Sequence, residues 1–370
     1  MGETSSFWLA FSYVPGVGSV RITRLLEAFG DLECAWHADA NALRRAGMGP
    51  KTIEAILRVR SELDLELAKV RLQRLGVRIL TLHSEDYPET LKQIQGPPAC
   101  LFVKGDIREH DRFAVAIVGT RRASAYGKAM AEKIAGELAL MKLTIISGLA
   151  RGIDGIAHQA ALRSQGRTFA ILGSGIDQIY PSEHRKLAEA ICKNGAVISE
   201  YPPGTAPEGH HFPARNRIIA GLAMGVIVIE APDRSGALIT ADFAAEQGKD
   251  VFALPGDANR KTSRGTNRLI QDGAHPLLAA EDVMDVLNLF PMEMGEVEQT
   301  EMPDDKIQVA MLELLKDEPA HIDSLYQRSG FPIQEIQAAL SMLELQGAIK
   351  PLGGMQYMRV REASSAYHVD

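Results

Sequence analysis

The chain has only three cysteines in 370 residues, Cys34, Cys100 and Cys192, and they are scattered. They offer neither a disulfide framework nor a CxxC pair, and read as reduced, buried thiols of a cytoplasmic protein. Long apolar runs are missing too: none approaches the roughly 18 residues a membrane span requires, so no membrane partner is expected. The start, Met1 to Ala10, lacks the basic flank of a signal peptide. Its match to a myristoylation pattern, Met1-Gly2-Glu3-Thr4-Ser5-Ser6, is short enough to arise by chance. Two nucleotide signatures are also absent. No G-x-G-x-x-G follows the first strong strand pattern, and no Walker sequence occurs. These gaps exclude a disulfide scaffold and a spanning helix, and they argue against an ordinary dinucleotide-binding or P-loop protein.

What remains is a chain of ordinary apolar content with 24% charged residues and a net charge of −7, long enough for two or three domains. The charge is unevenly distributed. Basic and acidic residues number 13 and 12 in residues 1–104, 21 and 18 in 105–275, and 6 and 17 in 276–370. The acidity therefore sits in the tail, while the middle is mildly basic with arginines gathered at expected strand ends. Such a distribution permits a nucleic-acid partner without requiring one.

That middle segment alternates regularly. Strands are expected near 113–118, 143–147, 167–172, 196–200, 225–230 and 250–254, separated by helical patterns. Several are continuous Val/Ile/Ala runs, the signature of a parallel sheet covered on both faces, so a doubly wound α/β domain follows. The first strand ends in Gly119-Thr120-Arg121-Arg122-Ala123-Ser124. A glycine for close approach, hydroxyls and amides at a helix start and two arginine forks make this an anion cradle, although an ordinary strand-to-helix turn would look similar. The second strand ends at Ser147 and turns through Gly148-Leu149-Ala150-Arg151-Gly152 into another helix, so both turns should open into one crevice.

Between Glu200 and Arg217 lies a Pro- and Gly-rich stretch, Tyr201 to Ala214, expected to be a loop leading to Arg215-Asn216-Arg217. Phe212, His210 and His211 beside two cationic forks suggest a platform for a base and its phosphate. No metal site is expected at the two histidines, because neighbours on an extended segment face opposite ways and no third ligand is spaced for it. Asp154 and His158, four apart on a helix, read as a hydrogen-bonded pair rather than as catalytic groups. Small, hydroxyl-rich helix starts recur at Ser235-Gly236 and Gly265-Thr266-Asn267. Capping explains any one of them, but the whole set poorly.

The flanks are simpler. Residues 1–75 read as a helical domain punctuated by Pro15-Gly16-Val17-Gly18 and Gly47-Met48-Gly49-Pro50, of the helix-hairpin-helix or SAM-like kind, and such glycine hairpins can lay amides against a phosphate backbone. Two strands, Val77 to Leu82 and Cys100 to Lys104, open a central domain over 76–290. An acidic linker is expected at 291–304, then three helices and a hairpin about Gly353-Gly354 over 305–361, the order of a winged helix. Its third helix carries no Lys or Arg, which suggests a protein-contact module rather than a DNA reader.

The motifs Gly119-Thr120-Arg121-Arg122-Ala123-Ser124, Ser147-Gly148-Leu149-Ala150-Arg151-Gly152-Ile153-Asp154, Phe212-Pro213-Ala214-Arg215-Asn216-Arg217 and Ser235-Gly236-Ala237-Leu238-Ile239-Thr240, in this order, closely resemble the DNA-processing protein A family, also called Smf. The resemblance is strong from about 110 to 280 and weaker in the flanks. It implies an extended Rossmann-like fold and a homodimer. It further implies a non-enzymatic role with no cofactor: single-stranded DNA entering in natural transformation is bound, protected and handed to the RecA recombinase. Carried over, Arg121 would bind a phosphate with Gly119, Thr120 and Ser124 completing its pocket. Arg215 and Arg217 would flank the strand while Phe212 stacks a base, and Arg151 could equally be structural. The long loop offers histidines and no lysine, a departure in groove charge. The main alternative is a nucleotide-binding enzyme of the Rossmann-like phosphoribohydrolase type, whose catalytic glutamate after a glycine-rich turn is not found here. A winged-helix transcription regulator is a third reading, opposed by the uncharged third helix.

Overall fold

The computed structural model describes residues 3–289, 306–315, 320–345, 349–353 and 355–359. The expected linker and Gly354 of the expected hairpin lie outside them. The chain divides into two compact units, Met1–Met292 and Glu293–Asp370.

The first unit opens with six helices, from Glu3–Ser12 to Leu65–Leu75. Gly16 and Gly47 take φ of 78° and 81°, which lets the chain reverse tightly between helices. Asp31, Asp39 and Asp64 cap three of the helices by accepting the amides of Cys34, Ala42 and Leu67. Cys34 is exposed there, not buried as expected; Cys100 is buried and Cys192 partly so.

Nine strands follow: β1 (Arg78–Thr81), β2 (Cys100–Gly105), β3 (Ala114–Val118), β4 (Thr144–Ser147), β5 (Thr168–Leu172), β6 (Gly195–Ser199), β7 (Gly225–Val228), β8 (Asp250–Ala253) and β9 (His275–Pro276). They form one sheet in the order β1-β2-β6-β5-β4-β3-β7-β8-β9. Neighbours from β6 across to β9 are parallel, while β1 and β2 join β6 as an antiparallel extension. The doubly wound sheet is thus present at the expected positions and is wider than its parallel core. Val115, Ile117, Ile145 and Ile227 pack on one side with the helices Ala125–Leu140 and Ile153–Arg163. Ala116, Val118, Ile146 and Val228 pack on the other with the helices His211–Leu222 and Gly236–Glu246. Burial on both faces is why these strands show no polar alternation. The helical region shares a core with the sheet, since Leu9, Phe11 and Trp36 cluster with Phe102, Leu172 and Val197.

Strand order reverses at β3, which pairs with β4 on one side and β7 on the other. A crevice opens outside the carboxyl ends of strands at such a point, and the turns after β3, β4 and β7 all meet there.

The second unit has helices Lys306–Leu314, Ile322–Ser329 and Ile333–Leu345 with strands β10 (Ala320–His321), β11 (Ile349–Gly353) and β12 (Gln356–Arg359) in the order β10-β12-β11. Met311, Leu325, Ile336, Leu340 and Leu343 form its core. This is the expected winged helix, plus β10, which at two residues is too short to leave a periodic signal.

Candidate nucleic-acid interface

The turn after β3 is locked against two neighbours. The Thr120 amide donates to Glu230 O at 2.7 Å, and the Ile153 amide to Thr120 O at 3.3 Å. A side chain at Gly119 would run into Ile153, 2.6 Å from its Cγ1, so glycine is required for packing between turns. The Arg121 and Arg122 side chains emerge exposed, with no carboxylate partner among the described residues. They line an open pocket of about 270 Å³ with Lys128, Gly155, Gln159 and His184. The Arg121 guanidinium lies over the Phe212 ring at 5.8 Å from its centroid, a cation-π distance. Phe212 in turn meets the half-exposed Tyr180 ring at 5.4 Å. Cations without an ion-pair partner among the described residues therefore border a pair of partly exposed aromatic rings.

Other expected site residues point inward. The Ser124 amide and hydroxyl donate to the two oxygens of Glu230, at 2.8 and 2.7 Å, while the hydroxyl also accepts Gly127 N and caps the helix Ala125–Leu140. Glu230 is only 2% exposed, so an internal carboxylate occupies the anion position at that helix start. Both donors of Ser124, expected to help complete a phosphate pocket, are thus engaged by Glu230 in this structure. Ser147 is likewise turned in, its hydroxyl donating to Ile117 O at 2.6 Å.

Arg215 shows the largest difference from expectation. It is 4% exposed, and its guanidinium donates to Gly148 O at 2.7 Å, to Ile171 O and to Asn216 Oδ1. Burial pulls its pKa down to about 10. Expected to flank a strand of DNA, its guanidinium is placed inside the fold, where it pins the turn after β4, in which Leu149 is held at φ 59°. Asp154 pins the same turn by accepting Gly148 N and Ala150 N at 3.2 and 3.3 Å, and burial raises its carboxyl pKa. His158, also buried, bonds Thr168 Oγ1 at 2.6 Å, so the expected Asp154–His158 pair is not formed. Asn216 is buried as well, its amide on Gly236 O. Arg217 forms a two-pronged bond to Glu200 at 3.0 and 2.6 Å, and Arg151 one to Glu183 at 2.8 and 2.7 Å. Of the five expected arginines, Arg121 and Arg122 alone lack a carboxylate or backbone partner among the described residues.

The helix carrying these groups starts earlier than the Pro/Gly content suggested. His211–Leu222 is helical, and Pro213 fits because the first turn needs no amide donor there. Lys249 holds the far end, donating to the carbonyls of Ala220, Gly221 and Ala223 at 2.7 Å each. Because His211 is helical, the two histidine rings come together at 4.3 Å and Glu208 joins them. Three ligand atoms within 4.8 Å of one another could share a cation, which overturns the geometric ground for expecting none. Sequence reasoning missed Lys128, Tyr180 and His184. Tyr180 was recoverable, since it belongs to the segment following a parallel strand, where the ligand side of such a sheet lies.

Fold and site together define a Rossmann-like protein whose switch-point crevice presents unpaired cations beside aromatic faces. Residues 78–288 match the family model of DNA recombination-mediator protein A, and residues 296–355 match a DprA winged helix domain. The chain belongs to the DNA recombination-mediator protein A family. Protein Smf of Synechocystis is 36% identical over 96% of this chain and 98% of its own. The X-ray structure of DNA processing protein A from Streptococcus pneumoniae superimposes with a TM-score of 0.65 at 35% identity, covering 77% of this chain and 98% of that one. The Helicobacter pylori protein of the same name, described for its single-stranded DNA binding mode, gives a TM-score of 0.53 at 33% identity, covering 58% and 96%. No helix among the described residues is long and apolar enough to cross a membrane.

Proposed function

We propose that this protein binds single-stranded DNA in the switch-point crevice and acts as a non-enzymatic mediator of recombination. The observation that carries this reading is the placement of Arg121 over Phe212, which meets Tyr180, with Arg122 lining the same pocket as Arg121 and neither arginine in an ion pair among the described residues. Phosphates meet the guanidinium forks, and unstacked bases meet the rings, an arrangement a duplex cannot satisfy because its bases are already stacked. The relative from Helicobacter pylori, with its described single-stranded DNA binding mode, supports the same ligand.

In this reading the protein works as a cytoplasmic homodimer in natural transformation, protecting the incoming strand and loading RecA onto it. The family's description as a recombination mediator supports the hand-over. The exposed Tyr326, Ile333 and Met342 of the winged helix support a protein-contact role for that unit. A phosphoribohydrolase is not favoured: the two buried carboxylates at the crevice turns are both engaged within the fold, Glu230 by Ser124 and Asp154 by the amides of Gly148 and Ala150.

A gel-shift series with a single-stranded oligonucleotide, its duplex and mononucleotides, run at rising salt, tests the assignment. Preference for the single strand, with affinity falling as salt rises, is the expected result. Equal affinity for the duplex, or binding indifferent to salt, overturns it. A strand-exchange assay with RecA tests the hand-over: the protein should shorten the lag before exchange on DNA already covered by a single-strand-binding protein.

A further inference from the structure

The glycine hairpin Pro15-Gly16-Val17-Gly18 has no part in the crevice. It opens instead onto a separate cavity of about 490 Å³ between the helical region and the sheet, within the one compact unit. Three guanidinium groups, those of Arg21, Arg24 and Arg217, stand in its walls against the single carboxylate of Glu200. Arg217 already neutralises that carboxylate through two hydrogen bonds, at 3.0 and 2.6 Å. Arg21 turns back onto Gly16 O. Arg24 is exposed and has no hydrogen bond or ion pair among the described residues. The cavity thus holds excess positive charge, with one cation free to take a ligand.

The remaining walls fit a particular kind of anion. Gly18 has open space where a side chain would stand, and no side chain caps the helix Ser19–Phe29 that follows it; Gly18 O takes the amides of Arg21 and Ile22, which leaves those of Ser19 and Val20 without a hydrogen bond among the described residues. Pro97, Pro98 and the 62% exposed Val20 supply an apolar surface. A compact inorganic anion has no use for that surface, whereas a nucleotide presents a phosphate to one side and a sugar and base to the other. The rim is continuous with the first site: Arg217 Nε donates to Gly96 O at 3.1 Å, and Arg217 shares a helix with Phe212. Five residues of helix rise only about 7.5 Å, so one oligonucleotide can reach both.

We infer that this cavity is a second contact for the same single strand, seating a phosphate on Arg24 and the amides after Gly18, with a sugar or base against Pro97 and Pro98. The inference rests on the proposed role of the crevice. It makes the helical region part of the DNA path, so that longer strands gain affinity that short ones lack.

Fluorescence anisotropy on the full chain, with oligothymidylates of about six and about 20 nucleotides, separates the two sites. Arg24→Glu is expected to weaken the longer strand about tenfold, to leave the shorter one unchanged, and to flatten the salt dependence by about one phosphate contact. Arg121→Ala should weaken both lengths. Thermal unfolding of each variant checks that the exposed substitutions leave the fold intact. Should Arg24→Glu bind the longer strand like the wild type while Arg121→Ala loses both, the second contact is wrong and the crevice stands. Should neither variant lose affinity for either length, the crevice assignment fails first and this inference falls with it.

Discussion

Ser124 and Glu230 are joined by two hydrogen bonds, from the serine amide at 2.8 Å and its hydroxyl at 2.7 Å, so that a residue after β3 is tied to one after β7. The carboxylate sits where the helix Ala125–Leu140 begins, the place a phosphate would otherwise take. In the proposed site, a phosphate would therefore be met by the arginine side chains instead of the backbone amides. A side chain at Gly127 would strike Glu230, so that glycine is part of the same arrangement.

Removing the carboxylate should loosen the whole switch point. Glu230→Ala leaves the Ser124 donors unpaired and is expected to cost about 2–4 kcal/mol in urea unfolding, whereas Glu230→Gln, which keeps an acceptor, should cost less than half of that. A wild-type midpoint for the alanine variant would show that the turn is held by something else.

Arg215 should behave as a structural residue despite its place in a basic motif. Its guanidinium is buried on Gly148 O and Ile171 O, and truncation leaves both carbonyls and the Asp154 carboxyl without it. Arg215→Ala is expected to lower stability by about 3 kcal/mol or more, with DNA affinity lost only in proportion to the unfolded fraction. A stable Arg215→Ala that no longer binds DNA would return it to the interface.

How far the sequence foretold this is clearest at two places. The parallel strands were legible because burial on both faces leaves long Val/Ile runs such as Ala114–Val118, and the glycine turns because only glycine fits beside Ile153. The roles of the polar residues were not. Arg215 and Arg121 look alike in a motif, yet one is 4% exposed and the other projects into the crevice; the difference arises from a helix starting at His211 instead of a loop. Likewise nothing near Ser124 in sequence announces that its partner lies beyond β7. Hydrogen-bond partners across crossovers leave no periodic trace. The sequence therefore located the crevice and misassigned which side chains face it.

Acid should destabilise the protein through His158. Its Nδ1 meets Thr168 Oγ1, whose own proton goes to Ile145 O, so the ring donates from Nδ1 and leaves Nε2 bare and without a partner. Burial first, then the nearby His184 and Arg215, lowers its pKa to about 3. The unfolded chain takes up this proton near the ordinary histidine pKa of about 6.5 and the folded one does not. Stability contributed by the neutral ring is thus present above that pH and is lost as pH falls from there toward 3. Urea unfolding of wild type and His158→Gln at pH 7.5 and 4.5, both approximate set points, should show a steeper loss for the wild type, by up to about 1.4 kcal/mol per pH unit. Parallel losses would mean that the buried ring does not govern the acid response.

Deleting the acidic second unit, residues 293–370, should leave single-strand affinity within about threefold, because its third helix carries no cation to meet a phosphate. The comparison is made by anisotropy on a chain ending at residue 292, with thermal unfolding as the check on its folding. A loss as large as that caused by unfolding the first unit would place part of the DNA site in the winged helix.

Arg121 carries the sharpest expectation. It leaves β3 through a turn fixed by Gly119, Thr120 and Ile153, projects into the open pocket, and lies over Phe212 without a hydrogen bond or ion pair to a carboxylate among the described residues. Its charge is therefore available to a phosphate, and its planar fork can hold two oxygens at once. Loss of such a charge-assisted bond typically costs about 1.5–3 kcal/mol, so Arg121→Ala should weaken single-strand binding roughly 10- to 150-fold. Arg121→Lys should recover only part, being a point charge without the fork. Because the side chain supports no core contact, the thermal midpoint should stay within about 1 °C of the wild type. Oligonucleotide affinity and thermal unfolding, measured on the same preparations, decide between two failures. A folded Arg121→Ala that binds like the wild type removes the phosphate role, and a markedly lowered midpoint makes Arg121 a structural residue like Arg215.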